Sequence, residues 1–274
     1  MQRRNSRSAS SVGLLLAVGM LAGLPMASKA ADKSAREVTE ALVGSSREAP
    51  VALTDLDLSY LDLAGLDFKG ADLSHSDLYG SDLTGADLSG ANLTHTRLDR
   101  ALIIGANFSG ANLDHATLLR PTVFSDMKFN RAEAPRFVGA KLIGLRVQAR
   151  MDGTDFSRAD LTDADFSPFE DRAGEGTITT VPRNELSNSN FTGAVMVRSN
   201  FRRAILRYVK FRDANLGGAS FVEADLTQAD FTGANLAGAD FTGADLARAD
   251  FSKARGLELA KGLDEASGQG AVLR

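Results

Sequence analysis

The chain has 274 residues, no cysteine, 31 basic and 35 acidic side chains, and a formal net charge of −4. Without cysteine there is no disulfide and no thiolate metal site, so stability must come from packing and hydrogen bonding. The acidic balance favours solubility and speaks against nonspecific nucleic-acid binding.

Residues 1–30 read as a secretory signal. Arg3, Arg4 and Arg7 form a basic start, Val12 to Leu24 a short apolar stretch, and Ser28-Lys29-Ala30 supplies small residues before a cut after Ala30. Those thirteen apolar-region residues fall short of the roughly 20 that span a bilayer core. No cysteine follows, which excludes a lipoprotein anchor, and the Arg3-Arg4 pair lacks the apolar residue expected of twin-arginine export. Export places the mature chain in the periplasm, or in the thylakoid lumen of a photosynthetic source, with no transmembrane segment after cleavage. The cut removes four bases and no acid, leaving 27 basic against 35 acidic residues, a net of −8.

Residues 31–50 are expected to be an N-terminal cap and linker, with a helix over Asp32 to Leu42 that puts Val38 and Leu42 on one face. From Leu53 onward a large apolar residue recurs every five positions, through Leu58, Leu63, Phe68 and Leu73 to Leu118, and again from Leu186 to Phe251. Neither an α-helix nor a plain strand has that period, so the unit is a strand-plus-turn module stacked many times. With the large residue at position i, most units carry Ala at i−2 and Asp or Asn at i−1, as in Gly-Ala-Asp-Leu-Ser at 70–74. Residues two apart in extended chain share a side, so i and i−2 face inward and i−1 outward. Gly65, Gly85 and Gly105 are spaced by 20, as are Gly70, Gly90 and Gly110, which gives four pentads per coil. From Phe201 the inward residue alternates Phe and Leu up to Phe251, so phenylalanines should stack on two opposite walls.

This A(D/N)LXX consensus resembles the pentapeptide-repeat proteins over residues 51–255, apart from two interruptions. The resemblance implies an all-β fold, a right-handed quadrilateral parallel β-helix, here with short helical caps. Some members of that family resemble B-form DNA and protect or inhibit DNA gyrase.

The first interruption, residues 121–151, should be a bulged coil or short loop, its inward positions slipping through Phe124 and Phe129 to Phe137. The second, an inserted segment at 168–185, is either a protruding loop or a degenerate turn of the solenoid. Residues 256–274 read as a C-terminal cap and tail, in which Leu257, Leu259, Leu263 and Ala266 suggest a short helix.

Charge is segregated. Asp55 to Asp87 holds eight acids and one base, and Asp213 to Asp250 holds seven acids and one base. Between them Arg198, Arg202, Arg203, Arg207, Lys210 and Arg212 form a belt without an acid. The belt is a candidate site for an anion or acidic partner; the alternative is a solvated band that relieves repulsion between acidic ends. The three histidines, His75, His95 and His115, are spaced by 20 and should stack on one edge, as candidate ligands for zinc, copper or nickel, a pH-responsive edge, or a ring stack without ligand.

No catalytic constellation stands out, so the chain is read as a non-enzymatic exported scaffold that binds an envelope protein or polymer along one face of the solenoid. The alternatives are a DNA mimic acting on DNA gyrase, and metal binding at the histidine edge. The acidic Asp57–Asp77, Asp62–Asp82 and Asp67–Asp87 ladders suit the mimic; the signal and the basic belt speak against it. Beyond the histidine metal, no cofactor and no nucleic-acid partner is implied, and monomer and homodimer both stay open.

Overall fold

The computed structural model describes residues 31–264 apart from Lys69, Met127, Lys128 and 169–182. The expected signal over 1–30, most of the inserted segment at 168–185, and the tail with Ala266 lie outside the described residues.

Each pentad folds as one short extended piece and one turn, and both are bonded to the neighbouring coils. Leu58 N donates to Asp77 O at 2.8 Å, and Asp77 N donates to Leu56 O at 2.8 Å. The turn closes when Ala71 N donates to Phe68 O at 2.8 Å, with Gly70 at φ 72 in its third position. A turn of this kind needs positive φ there, which glycine adopts without penalty. The same position elsewhere carries larger residues, such as Arg100 at φ 57. Turns are also tied coil to coil, as where Gly65 N donates to Thr84 O at 2.8 Å.

The aspartates at i−1 do more than face solvent. Ser74 N donates to Asp72 Oδ1 at 3.0 Å, and the same bond recurs at Thr84 to Asp82 and Ser157 to Asp155. The carboxylate folds back over the turn that follows it, which explains why Asp or Asn is placed there. Where Asn92 stacks on Asp72, its Nδ2 donates to Asp72 Oδ1 at 2.9 Å, so an amide replaces a like charge.

Bridge partners lie 20 residues apart along most of the chain, from Ala52 with Asp72 to Asn235 with Arg255, and they fall into four parallel columns. The molecule is therefore a parallel β-solenoid. Its core is filled by the i and i−2 side chains, with Leu58, Leu78, Phe201 and Ala204 fully buried. Phe137, Phe156 and Phe191 stack at 5.1 and 4.7 Å down one wall. Phe166 and Phe201 stack at 4.7 Å on another and meet the first wall edge to face, Phe156 to Phe166 at 6.2 Å. The two phenylalanine walls read from the sequence therefore face each other across the core.

The register changes in three places within the solenoid and once more at its C-terminal end. Asn107 pairs with Arg136, where Leu102 pairs with Thr122, so the first interruption inserts residues between Thr122 and Arg136. Val123 takes the inward place there, 4% exposed. Phe129 does not slip into the core as the sequence suggested; it is 41% exposed and its ring lies against Gly153. The chain then loses a residue: strand β1, Thr117–Leu119, pairs in parallel with β2, Arg146–Gln148, and the next bridge is already at Arg150. Finally Asp165 pairs with Asn200 and Arg150 with Glu185, so Glu185 follows Asp165 as the next pentad of the ladder.

Before the solenoid lies helix α1, Ala35–Val43. Ser34 and Glu37 form a reciprocal capping box at its start, a Ser-x-x-Glu signal the sequence reading passed over. Val38 and Leu42 are buried against the core. Ahead of it, Asp32 Oδ2 accepts from Asp57 N at 2.7 Å and Asp32 N donates to Asp57 O at 2.7 Å, covering part of the open edge of the first coil. At the other end the described residues form a 3-10 turn, over Leu257–Leu259, which takes up one extra residue before Lys261 pairs with Asp240.

Candidate functional site

Five of the six belt cations are held by carboxylates of neighbouring coils. Arg198 grips Asp163 with two bonds, Nε to Oδ1 at 2.7 Å and Nη2 to Oδ2 at 2.6 Å. Hydrogen bonding to Arg198 holds the Asp163 carboxyl below its usual range, and the same bond raises Arg198. Arg202 and Arg203 both reach Glu223, at 3.2 and 3.7 Å. Arg207 Nε lies 2.5 Å from Asp225, and Arg212 Nε bonds Asp230. Lys210 takes a bridge position between Asn190 and Asp230. The six residues ring one coil, spread over four successive bridge columns and not gathered at one point, and their charge is largely matched from within the solenoid. The sequence showed no acid inside the run because the partners sit a coil away.

The histidines lie as expected, on one edge and at the positive-φ turn position. His75 and His95 stack with centroids 4.9 Å apart and planes 11° from parallel; His95 and His115 stack at 5.2 Å and 17°. Ring-nitrogen lone pairs lie in the ring plane, so near-parallel rings aim them side by side instead of at a common point. The column ends on Gly144, where a Cβ would stand 2.6 Å from His115 Nδ1. Among the described residues no three His, Asp or Glu side chains are grouped to hold a metal ion.

The acidic ladders are partly neutralised too. Arg47, from the segment after α1, lies 3.4 Å from both Asp67 and Asp87. Arg97 lies 3.2 Å from Asp77 and 3.0 Å from Asp99, and its guanidinium covers the Tyr79 ring at 4.2 Å. Beside Arg97 sits a group the sequence did not single out: Arg100 and Arg120, successive turn residues of one column, with the buried Gln148 next to them. Only the spacing of 20 between the two arginines was visible beforehand; the burial of Gln148 depends on the lost residue. No helix among the described residues is long and apolar enough to cross a membrane.

Two family models match the sequence. One, for pentapeptide repeats in eight copies, covers residues 52–90, 81–118 and 147–167; the other, for a pentapeptide repeat region, covers residues 184–258. Together they account for more than half of the chain. The chain belongs to the pentapeptide-repeat proteins. No curated protein matches it. This pentapeptide-repeat protein is similar to solved structures of the same kind. HetL, involved in heterocyst differentiation regulation in the cyanobacterium Nostoc sp. strain PCC 7120, is 23% identical over 88% of this chain and 93% of its own, with a TM-score of 0.36. QnrB1, a plasmid-mediated fluoroquinolone resistance protein, is 18% identical over 82% of this chain and 90% of its own, with a TM-score of 0.45. A pentapeptide repeat protein from the thylakoid lumen of Arabidopsis thaliana is 36% identical over 36% of this chain and 69% of its own, with a TM-score of 0.30.

Proposed function

We propose that this protein is a non-enzymatic, exported interaction scaffold that presents one face of a right-handed, four-sided coil to an envelope protein or polymer, its ends closed by α1 and the 3-10 turn. The observation that carries the reading is the division of labour within each pentad. The i and i−2 side chains and the backbone are spent on the core and the ladder and the i−1 Asp or Asn on its own turn, so of the outward positions it is i+1 and the turn residue i+2 that vary. Large buried side chains such as Phe156, Phe166 and Phe191 fill the interior, so binding belongs on the outside. Repeat solenoids use their extended outer surface in this way. The basic–apolar–small order of residues 1–30 supports export.

Crosslinking in cells with the tagged full-length chain, followed by fractionation, tests it. Recovery from the periplasmic fraction with a reproducible envelope partner is the expected result. Recovery from the cytosol together with DNA gyrase would overturn it in favour of the DNA-mimic reading, and recovery of the periplasmic protein alone would remove the partner-binding part.

A further inference from the structure

The arginines of the Arg198–Arg212 belt are matched by carboxylates; among the arginines elsewhere that are not, two stand one above the other. Arg100 and Arg120 occupy the positive-φ turn position of one column in successive coils, at φ 57 and 56. Both are exposed. Arg203 stands in the same column further along and meets Glu223; no carboxylate forms an ion pair with Arg100 or Arg120 among the described residues. Arg97, beside them, is already held by Asp77 and Asp99. Two like charges on neighbouring coils, roughly one strand spacing of 4.8 Å apart at the backbone, repel each other unless an anion joins them.

Gln148 supplies the second observation. Arg100 N donates to Leu119 O at 2.9 Å and Arg120 N to Gln148 O at 2.7 Å, so Gln148 is the next rung above Leu119. Equivalent residues of that column, such as Ser59, Tyr79 and Asp99, are only half-buried. Gln148 is 5% exposed, because the chain advances to its next bridge one residue early, at Arg150. Its Nε2 has no hydrogen-bond partner. A buried amide donor left unmade is costly, and among the described residues it shares that state only with the Thr154 hydroxyl. Gln148 lines an open depression of about 270 Å³ together with Arg100, Arg120, Leu119, Tyr79 and the Arg97–Asp99 pair, whose carboxylate is taken up by Arg97 and by Leu119 N.

We propose that Arg100, Arg120 and Gln148 form a binding site for a phosphate group, free or as the monoester of a small apolar alcohol. A phosphate offers at least three strong acceptor oxygens, enough to take both guanidinium forks and the amide N–H at once. A carboxylate, with two oxygens, is used up by a single fork. Leu119 and the Tyr79 ring, which Arg97 holds in place, give the wall against which an ester group packs. The site is independent of export and of any protein partner, so it stands or falls apart from the scaffold reading.

Calorimetric titration of the whole chain with inorganic phosphate, at ionic strength held constant with sodium chloride, tests it, with phenyl phosphate as the ester probe. The expected result is saturable binding, weakened about tenfold or more by Arg100→Gln or Arg120→Gln, since bonds to charged groups are the strong ones. Arg100→Lys and Arg120→Lys, which keep the charge and remove the fork, should weaken it less, and Arg202→Gln in the belt should leave it unchanged. Gln148→Leu should weaken binding while leaving the melting temperature of the unliganded chain equal or higher, an outcome a purely structural glutamine would not give. Tighter binding of phenyl phosphate identifies an ester as the natural ligand, and equal binding identifies free phosphate. Absence of saturable binding at millimolar phosphate overturns the proposal. So does binding that survives in the folded Arg100→Gln/Arg120→Gln double variant, or that Arg202→Gln weakens equally.

Discussion

The side-chain amide of Asn184 donates to the carbonyl of Phe166 at 2.6 Å, across eighteen residues of sequence. The same Nδ2 also reaches Val147 O at 3.1 Å, and Asn184 Oδ1 accepts from Ala149 N at 2.6 Å. Asn184 is fully buried and occupies an i−2 place where Ala204 and Ala224 stand in later coils. One side chain thus supplies backbone partners at two faults of the ladder, the lost residue after β2 and the junction of Asp165 with Glu185. Asn184→Ala would leave three buried backbone groups unpaired, at about 1–3 kcal/mol each. The expected loss in denaturant unfolding is about 3 kcal/mol or more, and a change under about 0.5 kcal/mol would show that water or relaxation replaces the amide.

Phe156 is stacked between Phe137 and Phe191 and meets Phe166 edge to face. Each ring is clamped above and below, so little can collapse into the space that truncation leaves. Phe156→Ala should cost about 3–5 kcal/mol and Phe156→Leu clearly less, because Leu88 is the inward residue of the same column. Equal melting temperatures for the two variants would show that the space left by the ring collapses after all.

The regular parts of this fold were legible because each pentad repeats the same physical decision. Leu58 and Leu78 announce the inward column, Gly65 and Gly85 the coil length, and the Phe–Leu alternation from Phe201 the opposing walls. The irregular parts were not legible, because they depend on counts that only the ladder fixes. Phe129 is five residues from Phe124 and so reads as a slipped inward position, yet Val123, five after Leu118, is in the core and Phe129 outside. The belt was visible as a run of arginines, but its carboxylates lie on other coils; the Arg198–Asp163 pair spans 35 positions. Gln148 carried no signal at all, since its burial follows from a residue that is missing.

Glycines at positive φ differ in what a methyl group would meet. At Gly110, φ 67, a Cβ has nothing within 4 Å, so Gly110→Ala bears only the left-handed penalty of about 1–2 kcal/mol. Part of that is recovered from the stiffer unfolded chain. At Gly256, φ 76, a Cβ would stand 2.7 Å from Ala237 N, a backbone atom that cannot swing away. Gly256→Ala should therefore destabilise by about 2 kcal/mol more than Gly110→Ala, the scale of an overpacked core position. Thermal unfolding of the two variants side by side checks this, and equal losses would mean that the C-terminal turn yields freely.

The acid limb of stability should originate in the second half of the solenoid. Burial pushes the Asp225 and Asp230 carboxyls upward, but hydrogen bonds from Thr227 and Arg207 to the first, and from Thr232 and Arg212 to the second, outweigh it and hold both below the ordinary aspartate value. A carboxyl lowered in the folded state binds protons more readily when unfolded. Its stabilisation is therefore complete above the unfolded value of about 3.9 and drains away as pH falls through the lower folded value. Melting temperature should thus be nearly level from about pH 7 to 5 and decline below about pH 4. In the Asp225→Asn/Asp230→Asn double variant the protein should melt lower at pH 7, yet lose less on acidification, so that the two curves converge at low pH. Parallel curves would place the acid sensitivity in other carboxylates, with Asp163 and its Arg198 partner the first to substitute.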